Sequence, residues 1–518
     1  MNARVDPSTS LNASRRAREL AASADDVADV LVIGLGVTGA GVALDAASRG
    51  LKVTAIDAQD LAFGTSRWSS KLVHGGLRYL ASGQFDVAYE SAVERGVLMT
   101  RTAPHLIRAM PFVMPLTPLM SRRNAALAAV GLRAGDMLRT AARTPRKVLP
   151  GPLRLSHADT MRLAPALRED GLRGALLSWD GQLCDDARLV TAIARTAAGH
   201  GARILTRCRA IEVTGEGVRV RDELTGEVKD LRARKVVNAA GVWAGGLVPG
   251  IELRPSRGTH LVLEGNALGT LKAGLHLPVP GSLNRFALVL PQDDGRIYVG
   301  LTDEPVDEIP DVPAATEGDI GFLLDLLGIA LDTTVRRSDV LGAFAGLRPL
   351  LNADGRTADI SRRHAVLTSP EGVVTVVGGK LTTYRRMAQD AVDALGLDAG
   401  PSRTAGIPLV GAPGATPPAA PVRVPLRLAR RYGAEAPLMA ALAGDDPALL
   451  EPVLPGRPFL AVEWAWALAH EGALDAADLV DRRTRIGLVA ADREAALPAA
   501  KALVAAAAAE AGDRSQDL

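Results

Sequence analysis

The chain is poor in the features that mark secreted and nucleic-acid-binding proteins. Its 518 residues contain only two cysteines, Cys184 and Cys208, which cannot form a disulfide framework and which suit a reducing compartment. An excess of positive charge is also missing, because 60 basic residues face 58 acidic ones, whereas a general nucleic-acid binder carries a marked basic excess. We therefore predict no nucleic-acid partner, and we also predict no metal site.

Long hydrophobic runs are missing too. No stretch of about 18 apolar residues without a charge occurs, so we predict no transmembrane helix. Residues 1–28 include three neighbouring arginines, but no uninterrupted apolar core follows them, and they do not resemble a signal peptide. We interpret them as an N-terminal extension and expect any membrane contact to be peripheral.

The sequence does contain a dinucleotide-binding pattern near its start, which begins with a predicted buried strand at Val30–Ile33. A turn with Gly34, Gly36 and Gly39 follows that strand. A helix-forming segment and a second strand come next, and the second strand ends at Asp57. The glycines permit a tight turn, approach of a pyrophosphate and close helix packing, while the acid accepts hydrogen bonds from ribose hydroxyls. The spacing predicts a dinucleotide site and disfavours NADP, but it leaves NAD and FAD open.

Two later segments favour FAD over NAD. Asn238–Ala244, which includes Gly241, follows a predicted strand far along the chain, and Gly378–Tyr384 follows another. Small residues in the second segment allow a helix start to face the flavin end of the cofactor. Large flavoproteins commonly interleave two domains in this way, whereas an NAD enzyme has no need for it. We therefore predict FAD as the cofactor.

The remaining pattern predicts an α/β fold, in which a Rossmann-like FAD-binding domain is interleaved with an antiparallel-sheet substrate domain and followed by a C-terminal all-α domain. Period-two strands occupy residues 203–237, and Asp293–Gly295 is a hairpin signal between two strand candidates. We expect a helix over residues 86–110. The predicted boundaries are an N-terminal extension at 1–28, the FAD-binding domain at 29–405 with the inserted sheet domain at roughly 80–180 and 250–345, a Pro- and Gly-rich linker at 406–425, and a helical domain at 426–512.

The run Ser69–Leu80 combines two hydroxyls, two cations, a histidine, a tyrosine and a glycine pair. Fold maintenance rarely needs this mixture in so few residues. The cations Lys71 and Arg78 suit an anionic ligand, and His74 can exchange protons near neutral pH. Gly75 and Gly76 allow the backbone to approach a flat cofactor. The run therefore predicts an anionic ligand and a proton carrier beside the cofactor.

Six stretches of the chain are similar to one known family, and they are residues 57–62, 69–80, 185–190, 346–350, 378–385 and 482–487. On these stretches the chain resembles the FAD-dependent glycerol-3-phosphate dehydrogenases of the respiratory, quinone-linked type, in the D-amino-acid-oxidase-like superfamily. The resemblance implies oxidation of sn-glycerol 3-phosphate to dihydroxyacetone phosphate, with the hydride taken by FAD and the electrons passed to a membrane quinone. There are two departures: Asp57 stands where glutamate is commoner, and Arg363 follows Arg362 where many relatives carry an acid.

The resemblance also implies roles for individual residues. Arg348 is the best candidate for the phosphate ligand, because arginine binds phosphate with paired hydrogen bonds. Arg348 and Lys380 are also predicted to be catalytic residues. His74 and His260 compete as the base for the hydroxyl proton, and the sequence does not choose between them. The predicted substrate-binding residues are Arg78, Tyr79, Arg348 and Arg362. The predicted cofactor-binding residues are Gly34, Gly36, Gly39, Asp57, Thr65, Ser66, Ser69, Lys71, Gly241, Gly379, Lys380, Thr382 and Thr383.

Residues 121–150 are strongly basic, with seven cations against one acid. Their apolar residues Leu127, Val130, Ala134 and Leu138 fall on one helix face. Two interpretations are open, a solvated helical hairpin and a segment that docks on anionic lipid. The charge excess and the apolar stripe favour the second, which predicts peripheral attachment to the cytoplasmic, inner face of the cell membrane, where quinone is reached.

Three other functions stay open. A glycerol-3-phosphate oxidase that gives its electrons to oxygen would share these motifs. An amine-oxidising flavoenzyme of the glycine or sarcosine type would share the fold, although the cations Arg348, Arg362 and Lys380 suit a phosphate better than an amine. A flavin-binding regulatory or scaffold protein would hold FAD without turnover. The sequence does not decide the oligomeric state, for which a homodimer is one candidate.

Overall fold

The computed structural model of the chain describes residues 5–76, 79–80, 83–281, 285–351, 363–415, 423–444 and 446–516. The chain divides into two compact units. Unit 1 comprises Met1–Arg67, Asp185–Pro255 and Pro349–Leu518, and unit 2 comprises Trp68–Cys184 and Ser256–Arg348. Because the chain passes repeatedly from one unit to the other, the predicted interleaved α/β fold is confirmed.

The helices and strands are labelled in chain order over the described residues. The strands are β1 Val27–Ile33, β2 Val53–Ile56, β3 Leu72–Val73, β4 Ile107–Pro115, β5 Leu153–Leu155, β6 Ala175–Leu183, β7 Arg203–Leu205, β8 Cys208–Thr214, β9 Gly217–Asp222, β10 Val228–Asn238, β11 Ser256–Glu264, β12 Gly274–Pro278, β13 Phe286–Pro291, β14 Arg296–Gly300, β15 Glu304–Pro305, β16 Val340–Arg348, β17 Ala365–Thr368 and β18 Val374–Val377. The helices are α1 Ala13–Asp25, α2 Val37–Ser48, α3 Phe85–Val97, α4 Arg122–Ala141, α5 His157–Leu163, α6 Asp186–Gly199, α7 Ala244–Leu247, α8 Glu317–Ala330, α9 Tyr384–Asp393, α10 Leu426–Tyr432, α11 Ala436–Leu442, α12 Ala461–His470 and α13 Ala490–Gln516.

The main sheet of unit 1 has the order β17-β18-β10-β1-β2-β7. All neighbours in it pair parallel except β17, which is antiparallel to β18. Ile33 at the end of β1 is in register with Ile56 of β2 and with Asn238 of β10. The carboxyl ends of these strands therefore lie at one edge of the sheet, which is where ligands bind in doubly wound α/β folds.

Helix α2 connects β1 to β2 and consists mostly of small residues. Almost all of it is buried, and it contacts α6 and α9. Small side chains allow the neighbouring helices to approach closely. The buried positions of β1 and β2 are apolar apart from Thr54, as expected for a sheet covered on its faces. This packing fixes the start of α2 against the end of β1.

Unit 2 is built on a mostly antiparallel sheet with the order β15-β11-β14-β13-β12-β4-β6-β3. Strand β16 pairs with β11, and β5 pairs with β6. Strands β13 and β14 form the predicted hairpin around Asp293–Gly295, which is confirmed. Alternate residues of these strands pack with leucines of α8 to form the core of the unit.

The helix expected over residues 86–110 is wrong at its C-terminal end. Helix α3 continues only through a π-helical turn, Leu98–Thr102. Pro104 follows, and proline has no amide hydrogen with which to extend a helix. From Ile107 the chain is extended as β4, which pairs antiparallel with β6 along its whole length.

The C-terminal residues fold as α10 to α13 and belong to unit 1, and their helical character was predicted. Trp464 and Trp466 of α12 are buried in two adjoining hydrophobic clusters. Before these helices, Leu409 and Ala412 are buried, so the first part of the predicted linker is packed within unit 1. Within the described ranges, we find no helix that is both long and apolar enough to cross a bilayer.

Candidate active site

The turn between β1 and α2 is shaped by close contacts that require glycine. Gly34 has a φ of +98°, and a Cβ atom there would lie 2.6 Å from the carbonyl oxygen of Ala239. A Cβ on Gly39 would lie 1.7 Å from the carbonyl oxygen of Gly34. Gly36 is the N-cap of α2, where a Cβ would come within 3.1 Å of Ser66 Oγ. The tight turn directs the start of α2 at the sheet edge, where its dipole favours a phosphate.

The acid at the end of β2 holds this turn from the other side. Asp57 Oδ2 accepts a hydrogen bond of 2.7 Å from the Leu35 amide, and its Oδ1 accepts one of 2.8 Å from the Gln59 amide. Ser66 Oγ accepts from the Val37 amide at 2.8 Å. Burial raises the pKa of Asp57 to about 6, although the two amide hydrogen bonds oppose that rise. Asp57 and Ser66 therefore lie directly against the glycine turn, as a ribose and pyrophosphate site requires.

The turn after β10 is fixed by a buried asparagine. Gly241 has a left-handed φ of +61° and opens the 3-10 turn Gly241–Trp243. Asn238 Nδ2 donates to the Ala244 carbonyl at 3.0 Å, and its Oδ1 accepts from the Ala240 amide at 3.2 Å. Because Asn238 is in register with Ile33, this turn lies at the same sheet edge as the glycine turn.

The turn after β18 carries the second glycine pair. Gly378 and Gly379 have φ of +75° and +74°, a conformation that side chains other than glycine rarely adopt. Lys380 is half-buried, and its carbonyl accepts a hydrogen bond of 3.3 Å from Thr383 Oγ1. Thr382 and Thr383 are buried in the short turn that leads into α9. Strand β18 is parallel to β10, so these residues too lie at the carboxyl edge.

The structure thus brings the predicted cofactor-binding residues of unit 1 to one edge of its sheet. Thr65, in the 3-10 turn Thr65–Arg67, lies beside Ser66. The residues so placed are Gly34, Gly36, Gly39, Asp57, Thr65, Ser66, Gly241, Gly379, Lys380, Thr382 and Thr383. Ser69 and Lys71, which were also predicted to bind the cofactor, belong to unit 2.

Lys71 is an unusual buried cation of unit 2. It is 1% exposed and has a left-handed φ of +55°. Its amide donates to Ser69 Oγ at 3.0 Å, and its Nζ donates to the Ser69 carbonyl at 3.2 Å. The same Nζ lies 5.0 Å from the centre of the Phe344 ring, within the range of a cation–π contact. These contacts fix the start of the run at residues 69–80.

His260 is fully buried in β11 and is held from two sides. Its Nε2 lies 2.9 Å from Ser70 Oγ, and its ring stacks on Phe344 with centroids 4.8 Å apart and planes 10° apart. Gly300 faces it on β14, where a Cβ would come within 2.2 Å of the imidazole. The imidazole is therefore fixed in orientation. Sequence reasoning missed Ser70 and Phe344 as its partners, since nothing local to either residue indicates the pairing.

His74 follows β3 and is half-buried. The loop after it rests on an ion pair that the sequence did not indicate. A Cβ on Gly75 would lie 2.6 Å from Arg95 Nη1, and that nitrogen donates to Asp180 Oδ1 at 2.6 Å. Burial raises the pKa of Asp180, and the neighbouring Arg95 opposes the rise. Gly75 therefore leaves space for a buried guanidinium that fixes the loop next to His74.

Arg348 is the last residue of β16 and is 17% exposed on its side chain. Its Nη1 donates to Ser256 Oγ and to Asp303 Oδ1, both at 3.2 Å, and its Nη2 donates to the Thr302 carbonyl at 3.1 Å. Glycine at 258 is required beside it, because a Cβ there would meet Nη2 at 2.2 Å. Arg348 is therefore an oriented, partly buried cation rather than a surface arginine in a turn.

Three other predicted substrate residues remain to be placed. Tyr79 is 7% exposed, and its amide donates to the Gly76 carbonyl at 2.9 Å. Arg78 and Arg362 lie outside the described residues. The described substrate candidates, His74, Tyr79, His260 and Arg348, all belong to unit 2.

Known proteins match nearly the whole chain. Residues 29–385 match the family described as FAD dependent oxidoreductase, and residues 402–516 match the C-terminal domain of alpha-glycerophosphate oxidase. The chain is 54% identical to glycerol-3-phosphate dehydrogenase 1 of Mycobacterium tuberculosis, over 95% of this chain and 98% of that protein. It is 34% identical to the mitochondrial glycerol-3-phosphate dehydrogenase of Arabidopsis thaliana, over 95% of this chain and 84% of that protein.

Solved structures match the fold of the chain. The glycerol-3-phosphate dehydrogenase from Bacillus halodurans, complexed with FAD, matches with a TM-score of 0.73 and 26% identity, over 95% of this chain and 94% of that one. The L-alpha-glycerophosphate oxidase from Mycoplasma pneumoniae matches in fold, with a TM-score of 0.56 and 19% identity over 72% of this chain and 96% of that one.

The edge of unit 1 fits FAD on its own geometry. The glycine turn has no space for a Cβ at Gly34 or Gly39, so backbone alone faces the phosphate position. Asp57 lies at the end of β2, where doubly wound folds place the acid that binds a ribose, and Gly379 gives a left-handed turn after the far strand. FAD is the cofactor, and the chain belongs to the FAD-dependent glycerol-3-phosphate dehydrogenases.

Proposed function

We propose that this chain oxidises sn-glycerol 3-phosphate to dihydroxyacetone phosphate and passes the electrons to a membrane quinone. FAD supplies a two-electron acceptor for the hydride of the substrate. The residues of the chain must then bind a phosphate monoester, take the proton of its secondary hydroxyl and hold both groups in place.

The proposal is based on the residues that share one face of the sheet in unit 2. Ser256, Gly258 and His260 alternate along β11, while Phe344, Gly346 and Arg348 alternate along β16 beside it. Alternate residues of a strand share a face, so the imidazole of His260 and the guanidinium of Arg348 lie on the same face. Glycines occupy the positions between them on both strands. A proton acceptor and a phosphate-binding cation are thus separated by small residues, which suits a short phosphorylated alcohol.

Anaerobic mixing of the holoenzyme with sn-glycerol 3-phosphate tests the substrate. Bleaching of the flavin spectrum by this compound, but not by glycine or sarcosine, is expected. An amine-oxidising enzyme would give the reverse result, and a flavin-binding scaffold protein would give no bleaching with either. In air, hydrogen peroxide that forms in proportion to substrate and persists with a quinone analogue would favour an oxidase, which the name of the matched C-terminal family suggests as the second candidate.

Arg348→Met should raise the KM for sn-glycerol 3-phosphate by roughly 10- to 100-fold, because a hydrogen bond to a charged group contributes about 1.5–3 kcal/mol. Turnover at saturating substrate should change less, and the preference over unphosphorylated glycerol should fall. Arg257→Gln is the matched control, since Arg257 lies on the adjacent strand and pairs with Asp319 at 2.8 Å. Steady-state kinetics on both variants measure this, and an unchanged KM in Arg348→Met would contradict the assignment.

The affinity of the apoprotein for FAD should rise between pH 5 and pH 6.5, by up to about tenfold per pH unit at the acid end. The pKa of Asp57 is raised to about 6 in the unliganded chain, mainly by burial, whereas ribose hydroxyls donate to the ionised carboxylate. Binding therefore releases a proton below pH 6, and higher pH favours it until the carboxylate is already ionised. Fluorescence titration with FAD checks this.

Asp57→Asn should bind FAD more weakly and lose the pH dependence in the same titration. Asp230→Asn is the control, because Asp230 is an exposed carboxylate of the same unit that pairs with Arg219 at 2.9 Å. If Asp57→Asn kept the wild-type pH profile, Asp57 would not be the titrating group.

We further propose that α4 attaches the protein peripherally to anionic lipid on the cytoplasmic face of the cell membrane. One face of α4 packs on unit 2 through Leu132 and neighbouring alanines. On the other face, Leu127, Val130 and Met137 are 64%, 62% and 68% exposed. Of the seven cations predicted to contact lipid, Arg139 is buried and bonds to Asp136, so it is removed from that set. The other six are exposed.

Vesicle co-sedimentation tests this attachment. The wild-type protein should bind vesicles with phosphatidylglycerol more tightly than pure phosphatidylcholine vesicles, and salt should weaken that binding. Leu127→Asp should reduce binding by about tenfold or more, since it places a charge in the apolar stripe. Leu224→Asp, at an exposed leucine of unit 1, should have no effect. A wild-type protein that binds neither type of vesicle at any salt concentration would overturn the proposal.

A further inference from the structure

The segment at residues 57–67, here named the ribose loop, determines the shape of the glycine turn. Besides the hydrogen bonds of Asp57 and Ser66 described above, the Ala62 amide donates to the Leu35 carbonyl at 3.0 Å. The two peptide groups that flank Leu35 are thus held by the ribose loop, through Asp57 on one side and Ala62 on the other. A displaced ribose loop would therefore displace the turn on which FAD binds.

Three arginines of the C-terminal segment hold the ribose loop at two points. Arg483 binds Asp60 with both terminal nitrogens, at 2.7 and 2.9 Å, and Arg482 Nε donates to the same carboxylate at 2.6 Å. Arg485 Nη2 donates to the Arg67 carbonyl at the end of the loop. These residues come from the 482–487 stretch of the sequence, to which the enzymatic reaction assigns no role.

The charged groups that make these contacts are buried from solvent. Asp60 is fully buried, and the exposed fractions of Arg482 and Arg483 are 4% and 1%. Burial opposes the charge on Asp60, but Arg483 and Arg482 more than offset it and lower the pKa of that carboxyl. The ring of Phe63, in the middle of the loop, lies 5.7 Å from the guanidinium carbon of Arg482. Loss of Asp60 would remove the carboxylate that two buried guanidinium groups share beside the cofactor turn.

We propose that Arg482, Arg483 and Arg485 are positioning residues for FAD, and that the C-terminal segment tightens cofactor binding by fixing the ribose loop. This role is independent of the substrate and of the electron acceptor. It assigns a function in cofactor binding to a part of the chain that follows the FAD-binding strands by about a hundred residues.

The test is FAD binding to Asp60→Asn and Arg483→Gln, measured as the dissociation constant of the apoprotein and as the rate of FAD release from the diluted holoenzyme. Each variant should weaken binding or speed release by tenfold or more. The double variant should be no worse than the worse single one, because both substitutions remove the same contact. Arg483→Lys, which keeps the charge, should restore part of the affinity.

Glu435→Gln is the matched control. Glu435 also lies in the C-terminal segment and is buried, but it binds Arg195 of α6 with two hydrogen bonds of 2.7 Å rather than the ribose loop. It should lower the melting temperature of the apoprotein with less than a threefold change in FAD affinity. Wild-type FAD binding in Asp60→Asn, or an equal loss in Glu435→Gln, would overturn the proposal. Where an apoprotein does not fold, the release rate from holoenzyme purified with FAD decides.

Discussion

Gly39→Ala is expected to abolish FAD incorporation, with affinity reduced more than 100-fold. A Cβ at this position would lie 1.7 Å from the Gly34 carbonyl oxygen, a distance that no side-chain rotation relieves because both atoms belong to backbone-fixed positions. Helix α2 would have to move away from β1, and its N-terminus, the end of a helix that favours a phosphate, would move with it. Overpacking of this kind costs several kcal/mol, at the upper end of what core insertions cause.

The chain offers graded controls for this result. At Gly36 a Cβ would approach only the Ser66 hydroxyl, at 3.1 Å, and a hydroxyl can rotate away, so Gly36→Ala should retain part of the FAD. At Gly131, in the middle of α4, a Cβ would meet no atom within 4 Å, and Gly131→Ala should leave FAD binding intact and stabilise the helix by up to about 1 kcal/mol. The flavin-to-protein absorbance ratio of the purified variants gives the comparison. Full flavin content in Gly39→Ala would show that the turn does not bind the pyrophosphate.

The residues of the cofactor edge could be found from the sequence because their signals are local. Gly34, Gly36, Gly39 and Asp57 are close in the chain, and their spacing alone implies a strand, a turn, a helix and a second strand. The far strands were recognisable too, because Gly241 and Gly379 each come within a few residues of the end of an apolar run. In such units only glycine fits at the crowded turn positions, so the spacing of the glycines predicts the course of the backbone.

The side chains that hold His260 and Asp60 could not be predicted, because they come from distant parts of the chain. Ser70 and His260 are 190 residues apart, and Asp60 and Arg483 are 423 apart. Ser70 and Asp60 each have many possible partners along the chain. The pairing of β11 with β14 and β16 places His260, and the packing of the C-terminal helices places Arg483. The end of α3 was missed for a different reason, since apolar residues of β4 continue the helical pattern past Pro104.

His260→Ala should slow reduction of the flavin by substrate 10²- to 10⁴-fold, which is the usual contribution of a positioned general base. His260 is better held than His74: its Nε2 bonds to Ser70 Oγ, its ring stacks on Phe344, and it is fully buried, whereas His74 is half-buried in a loop. A preorganised imidazole loses little entropy when it takes the hydroxyl proton. We therefore expect His74→Ala to have the smaller effect, and Ser70→Ala, which only removes the orienting hydroxyl, to lie between.

Single-turnover stopped-flow measurements of flavin bleaching separate this step from electron transfer to the acceptor. His276→Phe is the control, because His276 is a half-buried histidine of the same sheet, stacked on Phe112 at 4.6 Å. Burial lowers the pKa of His276 to about 4, so that ring is neutral at pH 7. Equal bleaching rates in wild type, His74→Ala and His260→Ala would mean that neither histidine takes the proton.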